Sequence, residues 1–357
     1  YEDILAALGN WRRYSSAQGN LIDELPGRAG ATLGTTDPPR HDRLRGLIQK
    51  AVTKGALEHI LDPTRDVCRR HLDALRGRDR FDLVGDYTSK VTVDLLFHLF
   101  AMPVDMQEIV RDKAFMMVQT DPVTRRKGPE HIAAFEWMAT FAQDLVEQRK
   151  RNPGQDLLSN FITAEIDGEK LLDREVQLTV TTLIMAGIES LSGFMAMFGL
   201  NLADHAEARR ALVADPGRIP DAIEESLRFN TSAQRFKRCL TEDVELHSQQ
   251  MKAGDFVMLC YGSANRDERK FADPDRYDID RKPKAHLGFG GGVHACLGAI
   301  IGRLAVRIAF EELLSTFPEF ERTSQTLPWV PSSNFRSPIR LEIAVGRCPA
   351  SQHRHQA

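Results

Sequence analysis

The chain has 357 residues, 42% of them hydrophobic and 27% charged, with a net charge of −3. That is too apolar for a disordered chain and sufficient for a substantial core, and the near-balanced charge gives no reason to expect nucleic acid or an anionic membrane as partner. No apolar run reads as long enough to span a bilayer and no basic signal segment stands at the start, so the expected compartment is the cytoplasm.

Tyr1-Glu2-Asp3 already reads like the interior of a helix. A helix is expected over His41 to Val52, after Asp37-Pro38-Pro39, with Leu44, Leu47, Ile48 and Val52 on one side. Further helical patterns run from about Leu57 to Arg76, Thr88 to Phe100, Met106 to Val118 and Glu130 to Arg149. The longest runs from Leu172 to Leu202, with Asp173 as the expected N-cap. At 1.5 Å per residue it spans roughly 45 Å, and being apolar all round it must cross the middle of the protein. A shorter helix follows over Asp221 to Phe229, then β-like segments at Val244–Leu246 and Phe256–Leu259. Tyr261 to Lys284 is an irregular run, followed by a Gly-rich loop at 288–292 and a helix from Cys296 to Phe317. The expected fold class is mainly α with a minor β-sheet. No linker, low-complexity tract or repeat divides the chain, so a single domain over 1–357 is expected.

The five cysteines, at 68, 239, 260, 296 and 348, lie far apart with no Cys-x-x-Cys pair, which argues against a disulfide framework or a Cys-rich zinc site. His294 and Cys296 alone fall short of the four ligands of a tetrahedral zinc site. In Phe289-Gly-Gly-Gly-Val-His294-Ala-Cys296-Leu-Gly298 the glycines let the backbone fold tightly against a bulky planar group. Cys296 is expected in the first turn of a helix, where free N–H groups and the helix dipole favour a thiolate over a thiol of ordinary pKa about 8.5.

This segment resembles the haem loop of the cytochrome P-450 family, Phe-x-x-Gly-x-(His/Arg)-x-Cys-x-Gly, at Phe289, Gly292, His294, Cys296 and Gly298 without departure. The resemblance is to soluble bacterial members and extends along nearly the whole chain. It implies the cytochrome P-450 fold, with haem b between the long central helix and the cysteine-loop helix and Cys296 as the axial iron ligand. A thiolate in that position is a strong electron donor to iron.

Glu225-Ser-Leu-Arg228 and Phe271-Ala-Asp-Pro274-Asp-Arg276 look like the family's Glu-x-x-Arg motif and meander arginine, implying a buried triad of Glu225, Arg228 and Arg276 that braces the haem loop. By the same resemblance His41, Arg45, Arg238 and His294 face the two haem propionates. Ala186-Gly187-Ile188-Glu189-Ser190 resembles the family's Ala-Gly-x-(Asp/Glu)-Thr signature. A mid-helix glycine costs about 1 kcal/mol relative to alanine, so Gly187 implies a need for space or a kink, and small residues at Ala186 and Gly187 leave room for O2. Ser190, standing where threonine is usual, keeps the hydroxyl that donates on the oxygen-binding side but loses the methyl that fixes its rotamer. Glu189 connects that site to bulk protons.

The resemblance implies a monooxygenase that inserts one oxygen atom from O2 into a substrate, by hydroxylation or dealkylation. Leu183, Ala186, Gly187, Ala233, Phe236 and Phe335 are expected to wall an apolar pocket for a small hydrophobic or aromatic molecule, with Phe115 to Val118 as a lid. No flavin, nicotinamide or iron–sulfur fingerprint is present, so electrons are expected from a separate ferredoxin and its reductase, docking where Arg303 and Arg307 supply positive charge. The alternatives are a peroxide-driven or non-oxidative haem-thiolate enzyme and a haem-binding sensor without turnover. The family's first elements are expected ahead of Tyr1, and Tyr14-Ser15-Ser16 resembles its Phe-Ser-Ser.

Overall fold

The computed structural model describes residues 1–51 and 61–346. Val52, the opening of the second expected helix at 57–60, and Cys348 lie outside the described residues. The helices are α1 (Glu2–Gly9), α2 (Arg40–Ala51), α3 (Leu61–Asp73), α4 (Ser89–Leu99), α5 (Gln107–Val118), α6 (Pro129–Arg151), α7 (Leu157–Thr163), α8 (Asp173–Asp204), α9 (Ala206–Ala214), α10 (Ile219–Phe229) and α11 (Ala299–Thr316). The strands are β1 (Tyr14–Ser15), β2 (Arg80–Asp82), β3 (Glu165–Ile166), β4 (Glu169–Lys170), β5 (Arg235–Leu240), β6 (Val244–Leu246), β7 (Gln249–Met251), β8 (Phe256–Cys260), β9 (Phe320–Arg322) and β10 (Glu342–Val345).

The helices dominate, as the periodicity predicts. Leu44, Leu47 and Ile48 are buried on one side of α2. α8 runs unbroken for 32 residues, and α4, α5, α6, α7, α9, α10 and α11 all pack on it. By length and composition α8 is long and apolar enough to cross a membrane, which corrects the reading that no such stretch exists. Its apolar surface has a different cause, since 78% of its most apolar window is covered by the other helices. Leu172, not Asp173, is its N-cap: the Glu175 carboxylate accepts the Leu172 N–H at 2.9 Å, while Asp173 turns outward to Lys150 at 2.5 Å.

All strand pairing is antiparallel. One sheet has the order β1-β5-β8 and another β2-β10-β9, with β3-β4 and β6-β7 as two-stranded pairs. β5 was not foreseen, because Arg235, Lys237 and Arg238 hide its alternation. Its strand character comes from its neighbours, with Tyr14 opposite Leu240 on one edge and Phe236 opposite Leu259 on the other. This sheet carries Phe236 and Arg238 to one side of the site.

Candidate functional site

The cysteine loop is shaped by backbone bonds. Gly290 N–H donates to Leu287 at 2.9 Å, and Cys296 N–H reaches back to the Phe289 carbonyl at 2.9 Å. Gly292 has φ +62°, and a Cβ there would overlap the Leu8 carbonyl of α1, so only glycine fits that turn. These bonds hold Cys296 in the loop, and α11 starts at Ala299 with Gly298 as N-cap. The expected first-turn position is therefore corrected. Cys296 is accessible to solvent but ringed by protein mass. That surrounding raises its thiol above the ordinary value, against the pull of the Gly298 N–H and of Arg45 and Arg303.

Around this sulfur the structure gathers two imidazoles and two guanidinium groups, faced among the described residues only by Asp42, 2.9 Å from His41 Nδ1, and by Asp37 near His294. His41 and His294 meet edge to face at 4.6 Å, and the Nε2 atoms of both are buried without a hydrogen-bond partner. Burial lowers the His294 pKa, as do nearby Arg238 and His41, although Asp37 at 3.7 Å opposes them. Arg238, 4% exposed, donates to its neighbour's carbonyl at 2.8 Å. Among the described residues neither Arg45 nor Arg238 forms an ion pair. A converging set of two imidazoles and two guanidinium groups calls for an anion between them, because buried cations and unpartnered ring nitrogens are costly. The two carboxylates of haem fit that demand, as the accessible sulfur of Cys296 fits its iron.

Phe289 stands edge-on to Phe194 of α8 at 6.1 Å, and the Arg303 guanidinium lies 4.6 Å over its ring. Arg303 is not free for a partner. It donates at 2.6 and 2.8 Å to Glu224, which His286 also meets at 2.9 Å, and Arg307 pairs with Glu311 at 2.8 Å. Burial would raise the Glu224 carboxyl, but Arg303 and His286 outweigh it and hold the pKa down to about 2. Glu224 thus ties the loop and α11 to α10. Sequence reading missed it, since it adjoins the more conspicuous Glu225.

Glu225 and Arg228 form a fully buried bidentate pair at 2.7 and 2.8 Å. The third member differs from expectation. Arg281, not Arg276, donates to Glu225 at 3.2 Å. Asp273, at φ +46°, and the bond from Arg276 N–H to its carbonyl turn the chain so that the Arg276 carbonyl faces Arg228 at 3.1 Å. The Arg276 side chain consequently points out, 70% exposed, toward Asp278.

On α8, Thr182, Leu183, Ala186, Gly187 and Ser190 form a half-open stripe on a helix otherwise buried at these turns. Residues 182, 186 and 190 repeat at four-residue spacing and so share a face. A Cβ at Gly187 would come within 2.9 Å of the Leu96 side chain, so the missing side chain admits α4, while the residue itself belongs to the half-open stripe. α8 does not break there. The Ser190 hydroxyl donates to the Ala186 carbonyl one turn back. Glu189 is fully buried and neither carboxylate oxygen has a partner among the described residues. Burial pushes its pKa up to about 8. Ala233 bridges Phe335, whose ring meets Phe236 edge-on at 5.8 Å, forming an apolar corner. Phe115 and Met116 are half-buried, whereas Met117 and Val118 belong to the core.

The Glu189 carboxyl gives a pH signature. Below its ordinary pKa of about 4.3 it is protonated folded or unfolded, and from there to about 8 only the folded chain keeps the proton. Stability should therefore fall as pH rises across that window, by roughly 5 kcal/mol, and level off above it. Glu189→Gln should flatten this decline. Urea titrations at pH 5 and 8.5 measure it, and an equal slope in the variant would mean that the carboxyl is not held neutral.

A family model described as cytochrome P450 matches residues 219–336. The chain is 34% identical over 354 residues to the nocardicin C N-oxygenase of Nocardia uniformis subsp. tsuyamanensis, covering 96% of this chain and 87% of that one. It is 31% identical to the cyclomarin C epoxidase of Salinispora arenicola, covering 96% and 89%. Its structure is similar to that of the cytochrome P450 hydroxylase of the leinamycin biosynthetic pathway of Streptomyces atroolivaceus, with a TM-score of 0.85, 31% identity and coverage of 96% and 88%.

Proposed function

Because this chain belongs to the cytochrome P450 family, as a haem-thiolate monooxygenase that uses O2, an organic substrate and electrons from a redox partner, we propose that its substrate is a small hydrophobic or aromatic molecule, hydroxylated or dealkylated. The observation that carries this reading is the apolar corner of Ala233, Phe236 and Phe335, in one chain with the half-open α8 stripe and an accessible Cys296. Such a corner desolvates an apolar ligand and offers it no charge, so orientation comes from shape.

Haem supplies the activation of O2. Cys296 is the residue proposed to hold its iron, and metal coordination would stabilise its thiolate. His41, Arg45, Arg238 and His294 hold the propionates. Ser190 holds a proton donor on the open face of α8, and Glu189, neutral up to about pH 8, is the reservoir behind it. Glu225, Arg228 and Arg281 brace the loop. The electron donor is a ferredoxin with its reductase, and the setting is the cytoplasm. The whole chain acts as one domain.

A ligand screen read on the haem Soret band tests the substrate class, and turnover with ferredoxin, reductase and NADH tests the reaction. Apolar ligands should shift the band and be oxidised. Turnover with hydrogen peroxide alone would reject the ferredoxin-driven cycle, and no shift with any ligand would favour a sensor. Ser190→Ala should lower product formed per NADH consumed by about tenfold. Unchanged coupling would remove Ser190 from the proton path.

A further inference from the structure

The helix that brings His41 and Arg45 to the site is clamped from behind. Successive residues of a helix are turned by roughly 100°, so His41 and Arg45 share one face of α2 while Arg43, Gly46 and Lys50 lie on the opposite one. The hairpin of β3 and β4 packs on that second face, closed by a two-residue turn at Asp167 and Gly168 with φ of +53° and +81°. The Arg43 guanidinium donates from Nε to Glu169 at 2.6 Å and from Nη2 to the Lys170 carbonyl at 2.8 Å, both on β4. Its Nη1 reaches the Glu175 carboxylate at 3.2 and 3.3 Å, the same carboxylate that accepts the Leu172 N–H at the start of α8. Farther along α2, Ile166 of β3 stands 3.2 Å from where a Cβ on Gly46 would lie, and Lys50 Nζ donates to the Glu165 carbonyl at 2.5 Å.

Leu44, Leu47 and Ile48 already seat α2 on the core, but apolar packing is non-directional and holds a helix only loosely against sliding or turning about its axis. A planar guanidinium bound through three nitrogens to two other elements fixes both. Arg40 lies 3.5 Å from the Glu175 carboxylate but bonds to the Gly30 carbonyl, away from the hairpin, so it does not replace Arg43. We infer that Arg43 is a positioning residue: by locking α2 to the hairpin and to the first turn of α8, it sets how far His41 and Arg45 reach toward the cofactor's carboxylates. This rests on the reading of the site as a haem site.

The test compares haem-loaded Arg43→Ala, Arg43→Lys and Glu169→Ala with the parent. It reads the rate of haem loss to a scavenging apo-globin and the propionate bending bands of the resonance Raman spectrum. Arg43→Ala should speed haem loss by about tenfold, the lower end of what removing a group that orients a direct contact costs, and should move the propionate bands. Arg43→Lys keeps the charge without the fork and should lose haem nearly as fast. With Arg45→Ala already in place, Arg43→Ala should add no more than about threefold, because part of what it positions is gone. A parental rate in Arg43→Ala would overturn the inference, as would faster loss with unmoved propionate bands, full rescue by lysine, or an equal effect in the Arg45→Ala background. Should the Arg43 variants fail to fold, Glu169→Ala decides, since it removes only an exposed carboxylate of the hairpin. It should speed loss and move the bands in the same direction, and parental values in both would overturn the inference. A parent protein that takes up no haem would sink the functional reading itself, a separate result.

Discussion

Replacing Cys296 with alanine should abolish the thiolate-type absorption of the reduced carbon monoxide complex and lower turnover by at least about three orders of magnitude. The other described cysteines lack what such a ligand needs. Cys68 is fully buried, with its thiol pushed up to about 12, and Cys239 is buried in β5. Cys260 is partly accessible, but its sulfur leans on the Met258 carbonyl at 3.9 Å. Cys296 is accessible, meets the Gly298 N–H, and has Arg45 and Arg303 near. Cys260→Ala should therefore leave the spectrum intact. A persistent thiolate-type band in Cys296→Ala would refute the ligand assignment, and haem content measured alongside separates loss of the ligand from loss of the cofactor.

Arg228→Met should destabilise the protein by about 3–5 kcal/mol, the cost of leaving a buried carboxylate unpaired. All five N–H donors of Arg228 are used: two bonds go to Glu225 at 2.7 and 2.8 Å and three to the carbonyls of Asn265, Pro274 and Arg276 at 3.0, 2.8 and 3.1 Å. Lysine, with three donors and no planar fork, cannot replace it, so Arg228→Lys should fail nearly as badly. Arg276→Ala should stay within about 0.5 kcal/mol of the parent, as expected for an exposed side chain 3.8 Å from its partner. Arg281→Ala should fall between. Urea unfolding of the four variants gives the order. A loss at Arg276 as large as that at Arg228 would mean that the brace runs through Arg276 after all.

The contrast between Arg276 and Arg281 shows where reading a sequence stops. Glu225 and Arg228 are three apart on one helix, so local geometry alone makes them neighbours. Whether residue 276 or 281 completes the set depends on a turn at Asp273 that no spacing encodes. Gly187 teaches the same lesson: the rarity of a mid-helix glycine signals close approach, but the approaching group is Leu96 from another helix. Arg303 looked free in the sequence because Glu224, its partner, comes from α10, 79 positions away.

By itself the sequence determined the helical class, the long core helix, the cysteine loop and the kinds of side chain around it, because each follows from periodicity, glycine content or short spacing along one segment. Tertiary structure decided which arginine joins Glu225, that Cys296 stands ahead of its helix, which guanidinium groups are left without a carboxylate, and that β5 is a strand. Those outcomes depend on groups brought together from distant parts of the chain. Burial, not identity, then sets whether such a group is a solvated surface charge or part of a site.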